Sequence, residues 1–280
     1  MANDKVLCVV NTRQAALEVY RRTARDTDAV TLHLPRMMCA AHVQDTIAAI
    51  RRILAEQPQK HLRVISTQLV EAGGDIDFPS VFRQVAGLDS ILQAAGRCNR
   101  EGRLAEAGTV TVFSLTGPMR GSQSLADDSL RAMRAALGDE ADVMTQEAMT
   151  EYFGQLYSRV DSFDEKGVAS AVKKITHVPF ATVAHNFRLI DDESVDIIVP
   201  YKDGARLAEQ LRAEGPSRHL MRQVRPYTVS VRRQLLEHLV EQRIVVRLRD
   251  DILALASPSQ YDALTRLLTE NVELEELMMV

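Results

Sequence analysis

Apolar residues in the first 115 positions come in short runs, at 6–10, 30–34, 62–66, 81–85 and 109–113, separated by stretches with helical spacing. Runs of this length, rich in β-branched residues, predict strands buried on both faces, and their alternation with helices predicts a parallel sheet covered on both sides. Val43, Ile47, Ile50 and Leu54 recur at i, i+4, i+7 and i+11 and mark the apolar stripe of one such helix. Gly117-Pro118 and Gly121-Ser122 then predict a break. In the helices that follow, Met149, Phe153, Leu156 and Val160 share an apolar face, and Tyr152 and Tyr157 are available to dock elsewhere. Later still the pattern predicts strands at 196–201 and 227–233, an amphipathic helix at 203–213 closed by Gly215, and a hairpin of 243–249 with 252–255 around Asp250-Asp251. The expected organisation is α/β: a first domain over 1–116, a helical linker over 117–175 and a small α/β C-terminal domain over 176–280.

The densest chemistry lies in residues 62–102. Gln93, Arg97 and Arg100 fall at i, i+4 and i+7, which predicts one helical face presenting an amide and two guanidinium groups. Guanidinium is the side chain best shaped to grip phosphoryl oxygens in bidentate fashion, and Gly96 lets a phosphate or another backbone approach. Upstream, Ser66-Thr67 ends a buried strand with hydroxyls that suit either a phosphate or the cap of a helical turn. Gly73, Gly74, Asp75 and Asp77 supply a permissive backbone with carboxylates, and Phe78-Pro79 stops any helix there.

STQLVEAGGDIDFP resembles motif V, and QAAGRCNR motif VI, of the second RecA-like domain of superfamily 2 helicases. DIDFP, GLDSILQAAGRCNREG and the upstream RMMCAAH are similar to the CRISPR-associated helicase-nuclease of type I interference systems. The resemblance implies a RecA-like domain with arginine fingers at Arg97 and Arg100, oriented by Gln93, that reach an ATP held mainly by a first RecA-like lobe, which also carries Mg2+. It implies that Asp75 takes the ribose of the nucleotide or couples the two sites, with Gly73 allowing the close approach, and that Thr67 bonds a phosphate of single-stranded DNA. Asn11 and Thr12 stand at the position of motif IV as further strand contacts, with an ordinary helix N-cap as the alternative. Gly74 stands where an aliphatic residue is usual, and Pro35 and Val43 depart from the pattern around RMMCAAH.

No strand leads into G-x-x-x-x-G-K-[ST], and the dipeptide Gly-Lys never occurs, so the chain lacks the usual loop for ATP phosphates. No His-Asp pair or H-E-x-x-H is present, and no metal site or nuclease is expected. The apolar-then-acidic stretch 187–194 imitates a magnesium-binding box, but it follows the arginine segment instead of preceding it and reads as a turn between strands. Cys8, Cys39 and Cys98 are too few and too scattered for a disulfide framework or a zinc knuckle. No apolar run reaches membrane-spanning length, and the start reads as a strand and not a leader, which predicts a cytoplasmic protein. Residues 1–115 hold 14 Lys/Arg against 12 Asp/Glu, which excludes strong nonspecific duplex binding but leaves room for a narrow strand channel.

Two functions follow. One is the C-terminal half of an ATP-dependent helicase that translocates on single-stranded DNA, inactive without its first lobe, with that lobe, a nuclease domain and the CRISPR surveillance complex as partners. The other is a noncatalytic module that binds DNA or the effector complex.

Overall fold

From Val6 to Val9 the first strand, β1 (Lys5–Val9), has a parallel partner on each side, with Leu7 and Val9 buried and Val6 and Cys8 half-buried. A computed structural model describes residues 5–35, 37–72, 76–102, 107–116, 125–138, 141–172, 178–187, 194–249, 251–262 and 266–267. With β2 (Ala29–Leu34), β3 (His61–Ser66), β4 (Ser80–Gln84) and β5 (Thr109–Phe113), β1 forms a five-stranded, all-parallel sheet in the order β2-β3-β1-β4-β5. All five expected strands are present.

Helices cover both faces. On one side α1 (Arg13–Thr23) packs Ala15, Ala16 and Tyr20 against Val10 and Ile65. On the other, α2 (Ala40–Glu56) contributes Ile50 and Ile53 to a core with Leu7, Val9, Leu62, Val64 and Val81. Val43, Ile47 and Leu54 flank that core, so the stripe is centred on Ile50 and Ile53. Two shorter helices, α3 (Leu69–Ala72) and α4 (Leu88–Ala95), join β3 to β4 and β4 to β5. Strand order reverses around β1, because the chain leaves β1 toward β2 but returns past it to β4. In such sheets ligands settle at the carboxyl ends of the strands beside the reversal.

The compact unit made by residues 1–123 and 194–280 also contains a second, mixed sheet. A separate unit spans residues 124–193. There α5 (Leu125–Leu137) and α6 (Gln146–Ser158) are followed by α7 (Val168–Ala171) and α8 (Phe180–Asn186). The buried residues of α6 are Ala148 and Tyr152, one position ahead of the expected stripe. Tyr152 is core and is not available to dock, whereas Tyr157 is exposed. The stretch preceding the acidic box holds helix α8 up to Asn186, and 188–193 lie outside the described residues.

The second sheet runs β7-β6-β9-β8, built from β6 (Ser194–Ile198), β7 (Thr228–Arg232), β8 (Val245–Arg249) and β9 (Ile252–Leu255); only β6 and β9 pair in parallel. The helix α9 (Gly204–Glu214) ends at Gly215, whose φ of +83° suits glycine. Sequence pattern did not anticipate α10 (Arg218–Val224) or α11 (Arg233–Glu241).

One face of this sheet packs against the segment 37–42. Met37 and Cys39 enter its core beside Ile197, Val231, Leu239 and Leu255. His42 stacks on Tyr201 with ring centroids 4.0 Å apart, and its Nδ1 lies 3.1 Å from the Tyr261 hydroxyl, which also accepts the Cys39 amide at 3.1 Å. One turn along α2, Asp45 accepts the Tyr201 hydroxyl at 2.6 Å and pairs with Lys202 at 2.5 Å. Residues 37–42 are therefore a strut between two sheets: Met37, Met38, Cys39 and His42 are all buried.

Tyr261→Phe removes the hydroxyl that serves Cys39 and His42 and should lower stability by about 1–3 kcal/mol, read as a shift in the urea midpoint. Lys202 and then Tyr201 hold the Asp45 carboxyl below its ordinary 3.8, so its contribution is present above 3.8 and disappears as pH falls through the lowered value. Asp45→Asn should therefore destabilise at about pH 7. The gap to the parent should narrow in acid, as measured by urea unfolding across the range.

Candidate functional site

Three loops leave the carboxyl ends of β1, β3 and β4 together, beside the reversal of strand order. Asn11 follows β1, its backbone N–H donates to Gln84 Oε1 at 2.9 Å, and its Nδ2 donates to the Val85 carbonyl at 2.8 Å. Arg83, fully buried on β4, donates from Nη1 to Asn11 Oδ1 at 2.6 Å and to its neighbour's carbonyl, Gln84 O, at 2.8 Å. Thr12 accepts the Ala15 amide and caps α1. From β3, Gln68 Nε2 reaches the Asn11 carbonyl at 3.4 Å. The structure thus gathers Thr67, Asn11 and Thr12 at one sheet edge, but both ends of the Asn11 amide and the Thr12 hydroxyl already bind protein. Thr67 is buried, and its hydroxyl has no hydrogen-bond partner among the described residues.

Arg83 was not singled out by the sequence, where it is one arginine in an otherwise apolar run. Its position at the end of β4, the strand directly ahead of the arginine segment, is the signal that could have marked it. Burial drives the Cys8 thiol up to about 11 even though Arg83 pulls it down, so the half-buried Cys8 stays protonated.

Arg97 and Arg100 do not share a helical face with Gln93. Helix α4 ends at Ala95, Gly96 caps it, and Asn99 turns the backbone through the left-handed region at φ +48°. The reason is a competing partner for the backbone. Phe78 N–H donates to the Arg97 carbonyl at 2.9 Å, and Asn99 N–H donates to the Phe78 carbonyl at 3.0 Å, a parallel bridge across Phe78 and Cys98. Asp77 then takes the Arg100 amide at 2.8 Å on one oxygen and the Glu101 amide at 3.2 Å on the other. The arginine loop is clamped to the DIDFP loop by backbone, which leaves the Arg97 guanidinium half-buried and that of Arg100 exposed. Gln93 is exposed on α4.

A tight packing point supports the clamp. A Cβ on Gly108 would come within 2.5 Å of Cys98 Sγ and 3.2 Å of the Pro79 carbonyl, so glycine is required there. Burial and the nearby Asp77 carboxylate raise the Cys98 thiol. Gly73 and Asp75, the expected nucleotide contacts, lie outside the described residues, as does Gly74. The clamp precedes β4, whereas Thr67 and Asn11 stand at the strands' carboxyl ends, so the two groups are separated by the length of the sheet, about 16 Å for five residues.

Among the described residues no three His, Cys, Asp or Glu side chains could hold a metal, and no helix is long and apolar enough to cross a membrane. On the second sheet's unit, Arg218, His219 and Arg222 line an open cavity of about 390 Å³.

The chain thus combines a parallel five-stranded sheet, a Gln-x-x-Gly-Arg-x-x-Arg loop clamped beside β4 and a second mixed sheet. Residues 2–103 match the family model for the CRISPR-associated nuclease/helicase Cas3, C-terminal. The CRISPR-associated nuclease/helicase Cas3 of Haloferax volcanii is 53% identical over 58 residues, which is 20% of this chain and 6% of that protein. Its counterpart from Methanothermobacter thermautotrophicus is 36% identical over 99 residues, 35% of this chain and 11% of that protein. In three dimensions the chain is similar to T. fusca Cas3, with a TM-score of 0.59, 14% identity, and coverage of 90% of this chain and 36% of that one. It is also similar to a chain of a CRISPR RNA-guided surveillance complex in a pre-nicking state, with a TM-score of 0.55 and 11% identity over 95% of this chain and 40% of that one. Residues 2–103 are thus similar to the C-terminal region of the CRISPR-associated nuclease/helicase Cas3, and the matches span only a minor part of those longer proteins.

Asp77→Ala releases two amides that the carboxylate now holds and should lower stability by about 1–3 kcal/mol. Hydrogen exchange should accelerate at Arg100 and Glu101 well before the strands of the sheet are affected; unchanged protection at those two amides would count against the clamp.

Proposed function

We propose that this chain is the second lobe and C-terminal domain of an ATP-driven helicase that moves along single-stranded DNA in type I CRISPR interference. The carrying observation is the Asp77 clamp, which fixes the backbone of Arg97 to Glu101 while leaving the Arg100 guanidinium exposed. A guanidinium on a fixed loop suits an arginine finger, because its orientation is set before the phosphoryl group arrives. In this reading Arg97 and Arg100 stabilise charge on an ATP carried, with Mg2+, by a first RecA-like lobe, and Gln93 orients the same site. Gly73 and Asp75 contact the same nucleotide. That one solved relative is described as T. fusca Cas3-ATP supports ATP as the nucleotide.

Strand contact falls to the carboxyl edge, where Thr67, Asn11 and Thr12 cluster. The Thr67 hydroxyl supports the reading: a buried hydroxyl without a partner costs about 1–3 kcal/mol, which a strand phosphate would relieve once the edge opens to it. Asn11, held by Arg83, acts through backbone position, and Thr12 through the cap of α1. The surveillance complex and a nuclease domain complete the set of partners.

The absence of a phosphate loop from the sequence favours a second reading for the chain on its own, a module that binds DNA or the effector complex without hydrolysing ATP. Reconstitution separates the two. Adding a first lobe that contains the phosphate loop should produce DNA-stimulated ATP hydrolysis, and Arg97→Ala or Arg100→Ala should reduce it by about 10³–10⁵-fold, by analogy with arginine fingers generally. Strand binding without any hydrolysis in the reconstituted pair would leave the binding module.

A further inference from the structure

Residues 124–193 make up a quarter of the chain, yet they hold 13 Asp/Glu against 7 Lys/Arg, a net charge of −6. The whole chain carries −4, so its entire negative excess is concentrated in this unit. The same unit carries four of the five strongly exposed aromatic side chains of the described residues: Tyr157, Phe163, Phe180 and Phe187, at 53–78% exposure, against Phe82 at 36% elsewhere. Three aromatics form a continuous ribbon. Phe153 stacks on Tyr157 with centroids 5.8 Å apart, and Tyr157 meets Phe163 edge-on at 5.8 Å. Exposed carboxylates, Asp161 and Glu165, flank Phe163 in the sequence.

Beside the ribbon, α6 carries Gly154 in its interior. A helical glycine costs about 1 kcal/mol relative to alanine, and here no internal packing explains it, since a Cβ at Gly154 would meet nothing within 4 Å. It leaves a notch, one turn before Tyr157, into which a partner's backbone or side chain fits.

We propose that this ribbon and notch form a docking surface for a protein segment bearing arginine or lysine side chains. Charge selects that occupant. Exposed aromatic rings could stack on nucleobases, but a unit of net −6 repels a phosphate backbone and equally an anionic lipid surface. A second copy would set one acidic face against another. A cationic protein segment meets both features at once: its apolar side chains cover the rings, its cations lie over the faces of Tyr157 and Phe163, and the carboxylates form the rim. This inference is independent of the motor reading, because it involves neither the clamp nor the sheet edge.

The test uses the full chain and a synthetic helical peptide with leucine on one face and arginine on the other, followed by fluorescence anisotropy. The parent should bind, and a peptide with glutamate in place of arginine should not. Tyr157→Ala combined with Phe163→Ala should weaken binding by about tenfold or more, while the thermal midpoint stays near the parent's because both rings are exposed. Gly154→Gln separates docking from folding: it should raise the thermal midpoint by improving the helix and still weaken the peptide by closing the notch. Asp161→Asn with Glu165→Gln should flatten the salt dependence. Three results would overturn the proposal: equal affinity for parent and the Tyr157/Phe163 double variant, a single-stranded oligonucleotide that binds and is lost with that same pair, or self-association of the chain that the pair abolishes.

Discussion

In the proposed function, two guanidinium groups act on a phosphoryl group held by another lobe, which requires that their own backbone does not move, and no helix supplies that rigidity here. Asp77 does. Its two carboxylate oxygens bind the consecutive amides of Arg100 and Glu101, and the neighbouring bridge across Phe78 and Cys98 pins the residues before them. Because Asp77 belongs to the loop that opens β4, the arginine segment is referenced to the sheet and not to the end of α4. A carboxylate accepting two amides is a charge-assisted arrangement and stronger than ordinary turn bonds. Gly108 permits it by allowing Cys98 to sit against Pro79 and Thr109.

The second constraint is the strut at 37–45. A segment that emerges from β2 of the parallel sheet gives Met37 and Cys39 to the core of the mixed sheet, and His42 and Asp45 bind three side chains, Tyr201, Lys202 and Tyr261, that come from far along the chain. The segment 37–45 therefore ties the two sheets into one compact unit, although more than 150 residues separate the bonded groups in sequence.

Legibility in the sequence follows the range of the forces involved. The five parallel strands were visible because burial on both faces writes itself as unbroken apolar runs, and the hairpin around Asp250-Asp251 because its apolar strands are separated by a polar turn. Helices α10 and α11 were missed because they are short, seven and nine residues, and lie next to strands. The stripe on α6 was misplaced by one residue, since Tyr152, read there as a surface group, fills the core. Arg83 was passed over because nothing local distinguishes a buried arginine from an exposed one.

By itself, the sequence determined the class of the first domain, the order of its strands and helices, and the identity of the arginine segment, all of which depend on residue type and near-neighbour spacing. Tertiary structure alone decided that α4 stops at Ala95, that residues 37–42 form a strut, and that the Asn11 amide is occupied by Arg83 and Val85. Each of those outcomes is a competition for one backbone or side-chain group between a local partner and a distant one. Helical periodicity describes only the local competitor; the distant one, Asp77 and Phe78 for the arginine loop, enters only when the chain has folded back upon itself.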